Sequence, residues 1–143
     1  MTESATMTYA KPLPAPNRDT QPFWDACHNH ELRAQRCSAC GRFRWPPQGV
    51  CPACYSWDFE WTRLPDTGKI ESYVVVHYVS LPAFADDVPY VVAQIIIDGT
   101  DEHVILTSNV VDHPWEEVRV GMPLRVVWDD VTPEFTLPKF RPA

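Results

Sequence analysis

Long apolar runs are missing from this 143-residue chain, and so is any excess of positive charge. Nowhere do apolar residues accumulate to the ~18–20 that a membrane-spanning helix needs, so no membrane partner is expected. The first residues show no apolar stretch behind a basic flank, so no export signal is predicted and a cytoplasmic location is expected. Lysine and arginine number 12 against 19 aspartates and glutamates, a net charge of −7. The deficit lies in the second half, because residues 1–60 hold six basic and six acidic side chains whereas residues 61–143 hold six and thirteen. Binding to a phosphate backbone requires neutralising cations, so this half argues against a nucleic-acid partner. There is no internal repeat. His77, His103 and His113 are scattered, and Asp86-Asp87, Glu116-Glu117 and Asp129-Asp130 read as solvated loop charges, so no catalytic residue is assigned.

What is present suits one compact domain with a small appendage: 45% hydrophobic and 22% charged residues are enough to bury a core. Residues 1–18 carry Pro12, Pro14 and Pro16, which resist helix and ladder alike and predict an extended arm. Asp19 and Thr20 are candidate caps for a helix over Gln21–Leu32, within a 19–32 segment, that spaces Phe23, Trp24 and Cys27 helically. Residues 33–65 form a cysteine-bearing ribbon. Residues 66–143 change to β-branched and aromatic runs, Ile70–Val79, Tyr90–Asp98, His103–Val111 and Pro123–Trp128, with an irregular fifth strand over Thr132–Phe140 broken by Pro133 and Pro138. A mainly β protein is expected, and five short strands after a ribbon fit an OB-fold barrel best. Periodicity alone also admits a β-sandwich.

Cys37-x-x-Cys40 and Cys51-x-x-Cys54 are two knuckles separated by ten residues. Each short turn brings two thiolates to one ion, and Gly41, just after the second ligand, permits a left-handed backbone. Four thiolates close a tetrahedral sphere around zinc, so one structural Zn2+ per chain is expected. Disulfides are disfavoured in a reducing compartment, and a thioredoxin-like dithiol would use one pair at a helix start. Iron takes the same four sulfurs, and ligand identity does not separate it from zinc. Cys27, beside His28 and near His30, reads as a buried small hydrophobe, since adjacent helical residues point in different directions. Arg33, Arg36, Arg42 and Arg44 lie in twelve residues without an acid, a local positive patch that a small anion could use. Arg42 and Arg44, alternating after Gly41, would face one side of an extended segment.

The order Phe23-Trp24, Cys37-x-x-Cys40-Gly41, Pro46-Pro47, Cys51-Pro52-x-Cys54, Gly68-Lys69-Ile70-Glu71-Ser72-Tyr73, Pro89-Tyr90 and Val120-Gly121 resembles the zinc-ribbon-plus-OB-fold family of acyl-CoA-associated proteins. The likeness spans nearly the whole chain. Members of that family are small companion subunits of thiolase-type enzymes, including thiolases, acyltransferases and steroid side-chain retro-aldolases. The resemblance implies an N-terminal helix, a rubredoxin-like ribbon, an OB barrel and a thiolase-like partner, in a 2:2 hetero-oligomer, whose residues act on a coenzyme A thioester. It also implies that Arg33, Arg36, Arg42 and Arg44 are the side chains to meet coenzyme A phosphates. The alternative is a nucleic-acid-binding module, because both OB barrels and zinc ribbons hold single strands.

Overall fold

The structure, a computed structural model, describes residues 9–143. The expected arm is therefore seen from Tyr9 onward, extended and without regular elements up to residue 17, and its first eight residues lie outside the described residues. Helix α1 spans Gln21–His28 with a proline in its first turn, and it buries Phe23, Ala26 and Cys27. Its entry differs from the expected cap. Thr20 makes no side-chain cap bond, and the chain is turned instead by Asn17, whose Oδ1 accepts from the backbone N–H groups of Asp19 and Thr20, both at 2.9 Å.

The helix also stops four residues before the predicted Leu32. Glu31 N–H donates to Ala26 O and His30 N–H to Cys27 O, each at 2.9 Å, with His30 at φ 59°. This is a Schellman close whose left-handed position carries histidine rather than glycine. The reversal lets Leu32 leave the helix extended and bury completely.

Three strands follow in the ribbon: β1 (Arg33–Cys37), β2 (Phe43–Arg44) and β3 (Phe59–Arg63), ordered β2-β1-β3 and antiparallel throughout. Five more make a closed barrel: β4 (Thr67–Val76), β5 (Tyr90–Ile97), β6 (Ile105–Val110), β7 (Pro123–Asp130) and β8 (Thr136–Pro142), ordered β4-β5-β6-β8-β7 with β7 returning to β4. The strand order and the single parallel link, Val110 to Phe140, are those of an OB-fold. Closure removes the sheet edges that a five-strand meander would leave open.

One hydrophobic cluster runs through both parts. Ile70, Ile95, Ile97, Val104, Leu124 and Phe140 fill the barrel, while Phe23, Cys27, Leu32, Ala34, Phe43 and Leu64 continue it under the helix and ribbon. His30 adds a polar tie, with its Nε2 at 2.9 Å from Asp130 on β7 and its ring stacked on Trp128 at 5.4 Å.

The expected fifth strand lies further along than Thr132–Phe140, because Thr132 belongs to the β7–β8 turn, where Phe135 N–H donates to its Oγ1. Pro138 is accommodated inside β8. Its carbonyl accepts from the Ser108 hydroxyl at 2.6 Å, so its N–H-less nitrogen faces the sparsely paired seam with β6, where no ladder donor is needed.

Strand β4 bends at a register shift between Ile70 and Ser72, and Gly68 sits just before it. A Cβ at Gly68 would run into the carbonyl oxygen of Ile96 and stand 3.1 Å from the Ile95 side chain. Both neighbours are held by the β4–β5 ladder, so neither gives way. Gly68→Ala is expected to destabilise the domain by about 1–3 kcal/mol, the usual cost of overpacking. Urea unfolding monitored by tryptophan fluorescence checks it, and an unchanged midpoint would contradict this account of the bend.

Candidate metal centre and the surfaces around it

The two knuckles use the same backbone device. Gly41 N–H donates to Cys37 O and Tyr55 N–H to Cys51 O, both at 2.9 Å, closing a turn around each CxxC. The residue after the second cysteine is left-handed in both, Gly41 at φ 80° and Tyr55 at φ 64°. Glycine takes this conformation freely, whereas tyrosine takes it only because the turn demands it. Further bonds, Cys37 N–H to Arg42 O at 2.8 Å and Cys51 N–H to Ser56 O at 2.9 Å, anchor the first ligand of each pair.

All four Sγ atoms lie within 4.8 Å of one another, with Cys37–Cys54 and Cys40–Cys51 at 3.6 Å. Four sulfurs at ~2.3 Å from one zinc stand roughly 3.8 Å apart, so the geometry and the donor set both fit a single tetrahedral ion. The backbone N–H groups of Cys40 and Ala39 favour the thiolate of Cys37 and pull that thiol down to about 6, with Cys54 and Arg44 adding to the effect. Those of Cys54 and Ala53 act alike on Cys51. At Cys54 the Ser56 N–H pulls downward too, but burial and the sulfurs of Cys37, Cys40 and Cys51 outweigh it and push the thiol up to about 12. Four sulfurs this close do not all ionise unless a cation sits among them.

Arg44 is the residue that sequence reasoning misplaced. It is completely buried. Its Nη1 donates to Gly49 O at 3.1 Å and Gln48 O at 3.5 Å, its Nη2 to Ser56 O at 3.0 Å and Asp58 O at 2.9 Å, and its guanidinium stacks on Phe59 at 4.9 Å. The alternation of Arg42 and Arg44 therefore does not give a shared surface. One inward-pointing guanidinium thus reaches four carbonyls around the second knuckle: it is the donor to Gln48 O and Gly49 O, and a second donor to Ser56 O and Asp58 O, which also accept Cys51 N–H and Ser38 N–H. Gln35, also buried, completes the job by accepting Gln48 N–H at 2.8 Å.

The remaining arginines separate. Arg33 Nε donates to Glu31 at 2.8 Å, and Arg63 joins the same carboxylate at 3.3 Å, holding Glu31 below its ordinary carboxylate range through the Arg33 bond first. Arg36 and Arg42 stay together beside Gly41 and form no ion pair among the described residues. Cys27 is fully buried and burial pushes its thiol up to about 12, an unreactive state that agrees with a core role.

Exposed apolar side chains collect at two places: Tyr55 and Trp57 on the second knuckle, and Val74, Tyr78, Val79 and Leu81 along the outer end of β4 and the loop after it. Two clefts of about 400 and 350 Å3 flank the β6–β8 seam and share Asn109, Leu137 and Lys139. Among the described residues no helix is long and apolar enough to cross a membrane.

The tetrad and the buried arginine predict a shared fate for metal and fold. Cys51→Ser is expected to lose most of the bound zinc and to lower the soluble yield. Arg44→Ala leaves the Gln48 and Gly49 carbonyls without a donor and opens a cavity beside Phe59, and is expected to cost about 3 kcal/mol or more, with zinc leaving at lower chelator concentration. Metal content by atomic emission and zinc release into a colorimetric chelator check both. Parental zinc retention in either variant contradicts the coupling.

Comparison with known proteins places these features together. Residues 24–60 match the family model described as the ChsH2 rubredoxin-like zinc ribbon domain, and residues 61–129 match that of the ChsH2 C-terminal OB-fold domain. The chain is 40% identical over 134 residues to a probable enoyl-CoA hydratase alpha subunit of Thermomonospora curvata, covering 93% of this chain and 40% of that protein. It is 35% identical over 94 residues to a DUF35 domain-containing scaffold protein of Methanocaldococcus jannaschii, covering 65% of this chain and 64% of that one. It thus spans less than two thirds of either relative. Among solved structures, a chain of the Ltp2-ChsH2(DUF35) aldolase superposes with a TM-score of 0.81 at 38% identity, over 91% of this chain and 98% of that one. A DUF35-family protein of unknown function from Sulfolobus solfataricus shares the fold at 16% identity and a TM-score of 0.63, over 89% of this chain and 87% of that one. The chain belongs to the ChsH2 (DUF35) family, in which a rubredoxin-like zinc ribbon is joined to an OB-fold barrel.

Proposed function

We propose that this chain is a companion subunit that docks on a thiolase-like enzyme and helps hold an acyl-CoA thioester while the partner makes or breaks a carbon–carbon bond. The observation that carries the reading is the superposition on nearly the full length of the ChsH2 chain in a solved aldolase, at 38% identity. Two features of this chain support it. The tetrad has no open coordination position, so its zinc holds structure and leaves the chemistry to other residues. Large apolar side chains also stand in water, with Tyr78 79% exposed, Trp57 72% and Val74 60%, and aromatics of this kind are the usual anchors of protein interfaces. A dimeric partner offering one docking surface per protomer gives a 2:2 assembly.

The competing class, a single-strand binder, is disfavoured by charge. Residues 61–143, which include the whole barrel, carry six basic against thirteen acidic side chains.

Co-expression with a thiolase-like protein encoded beside this chain is expected to yield a stable complex, with carbon–carbon bond activity present in the complex and absent from the isolated subunit. Val74→Glu combined with Tyr78→Ala is expected to weaken association at least tenfold while zinc content stays parental, because both side chains are exposed. Analytical ultracentrifugation measures it, and an unimpaired complex would remove this face from the interface. Fluorescence anisotropy with mixed-sequence single-stranded DNA at physiological salt should show no binding. Micromolar binding that weakens steeply with salt would favour the competing class.

A further inference from the structure

The first knuckle and the turn between β5 and β6 border an open cleft of about 260 Å3. On the ribbon side it is walled by Arg36, the metal ligand Cys40 and Arg42, and on the barrel side by Thr100, Asp101 and His103. The barrel wall is firmly built. Thr100 is completely buried, its hydroxyl donates to Ile97 O at 2.7 Å, and its carbonyl accepts His103 N–H at 3.0 Å. Asp101 and Glu102 are both held left-handed, at φ 56° and 62°, a conformation that costs a non-glycine residue energy and persists only where the surroundings enforce it.

Of the two guanidiniums, Arg36 is the one held in place. Arg36 donates from Nε to Gly41 O at 2.9 Å and lies over the Phe43 ring at 5.0 Å, so its conformation is set while both terminal nitrogens remain available. Arg42 has its Nε buried with no acceptor. That nitrogen has no accessible surface, so an anion in the cleft would meet the terminal nitrogens of Arg42 rather than its Nε. Asp101 is the single acid on the cleft wall, and it forms no ion pair with either arginine among the described residues.

The geometry points to a phosphate-anion subsite formed by Arg36 and Arg42 across from His103, at the junction of ribbon and barrel. Arginine forks match phosphate oxygens two at a time. At about 260 Å3 the cleft is smaller than whole-ligand pockets, which run from roughly 300 Å3 upward, and so it takes a head group rather than an entire cofactor. The subsite stands on its own for a free phosphate. It deepens the acyl-CoA reading, and rests on it, where the phosphate is that of coenzyme A.

Isothermal titration of the zinc-loaded subunit with inorganic pyrophosphate tests it. Saturable binding is expected, weakened at least tenfold in the Arg36→Ala/Arg42→Ala double variant with zinc content unchanged. Arg42→Lys keeps the charge but loses the fork, so it too should bind more weakly, and it serves if the double variant folds poorly. Coenzyme A binding tighter than pyrophosphate, with the same arginine dependence, assigns the site to the cofactor's phosphates. Equal affinities assign it to free phosphate. Absence of saturable binding, or binding indifferent to both variants, overturns the subsite. If pyrophosphate does not bind and the double variant instead falls off the partner enzyme, the arginines meet carboxylates of that partner and the proposal is wrong. Complex formation by the parent, scored separately, keeps this result distinct from failure of the companion-subunit reading.

Discussion

Everything in the first half of this molecule depends on four sulfurs sharing one cation. Without it, thiolates within 4.8 Å of one another repel, and the ribbon offers little apolar surface to hold them together. With it, four thiolates around a divalent ion still leave about two negative charges in excess. Arg44 answers that excess from the inside. Its guanidinium lies buried between Phe59 and the carbonyls of Gln48, Gly49, Ser56 and Asp58, so one side chain both offsets the charge and laces the second knuckle to the strand that follows it. Metal and arginine are thereby one unit.

That unit aligns the rest. Strand β1, which begins at Arg33 and ends at the metal ligand Cys37, pairs along its length with β3 and sends Ala34 into the common core beside the buried Leu32 that precedes it. Leu64 N–H donates to Leu32 O at 2.8 Å, and β3 passes into β4 through only three residues. The ribbon is therefore a rigid extension of the barrel, and the helix packs against both. The cleft at the first knuckle and the exposed apolar end of β4 therefore belong to parts that share one hydrophobic core.

The seam between β6 and β8 is the softer element. One parallel pair and the Ser108–Pro138 bond hold it, and a cleft lies on either side. A closed barrel tolerates this because β5 and β7 secure the same two strands from their other edges.

How much of this was legible in the sequence follows from the range of each interaction. The two CxxC knuckles declare their ligand set because four thiolates at that spacing have few other stable uses, and the runs of β-branched residues from Ile70 onward announce strands because strand propensity is local, whereas their closure into a barrel rests on pairings between distant residues. The helix was visible in the spacing of Phe23, Trp24 and Cys27, but its end was not, since His30 occupies a left-handed position that glycine would have advertised. The fate of the four arginines was beyond reach. Within twelve residues they look alike, yet Arg33 goes to Glu31, Arg44 to the carbonyls of a segment up to fourteen residues downstream, and Arg36 and Arg42 to a cleft whose far wall comes from residues some sixty positions away. Composition and spacing determined the metal ligands, the strands and the order of the parts. Only the tertiary structure decided which charges are buried, which are paired and which remain free, because that depends on carbonyls and carboxylates that folding brings near and no local pattern records.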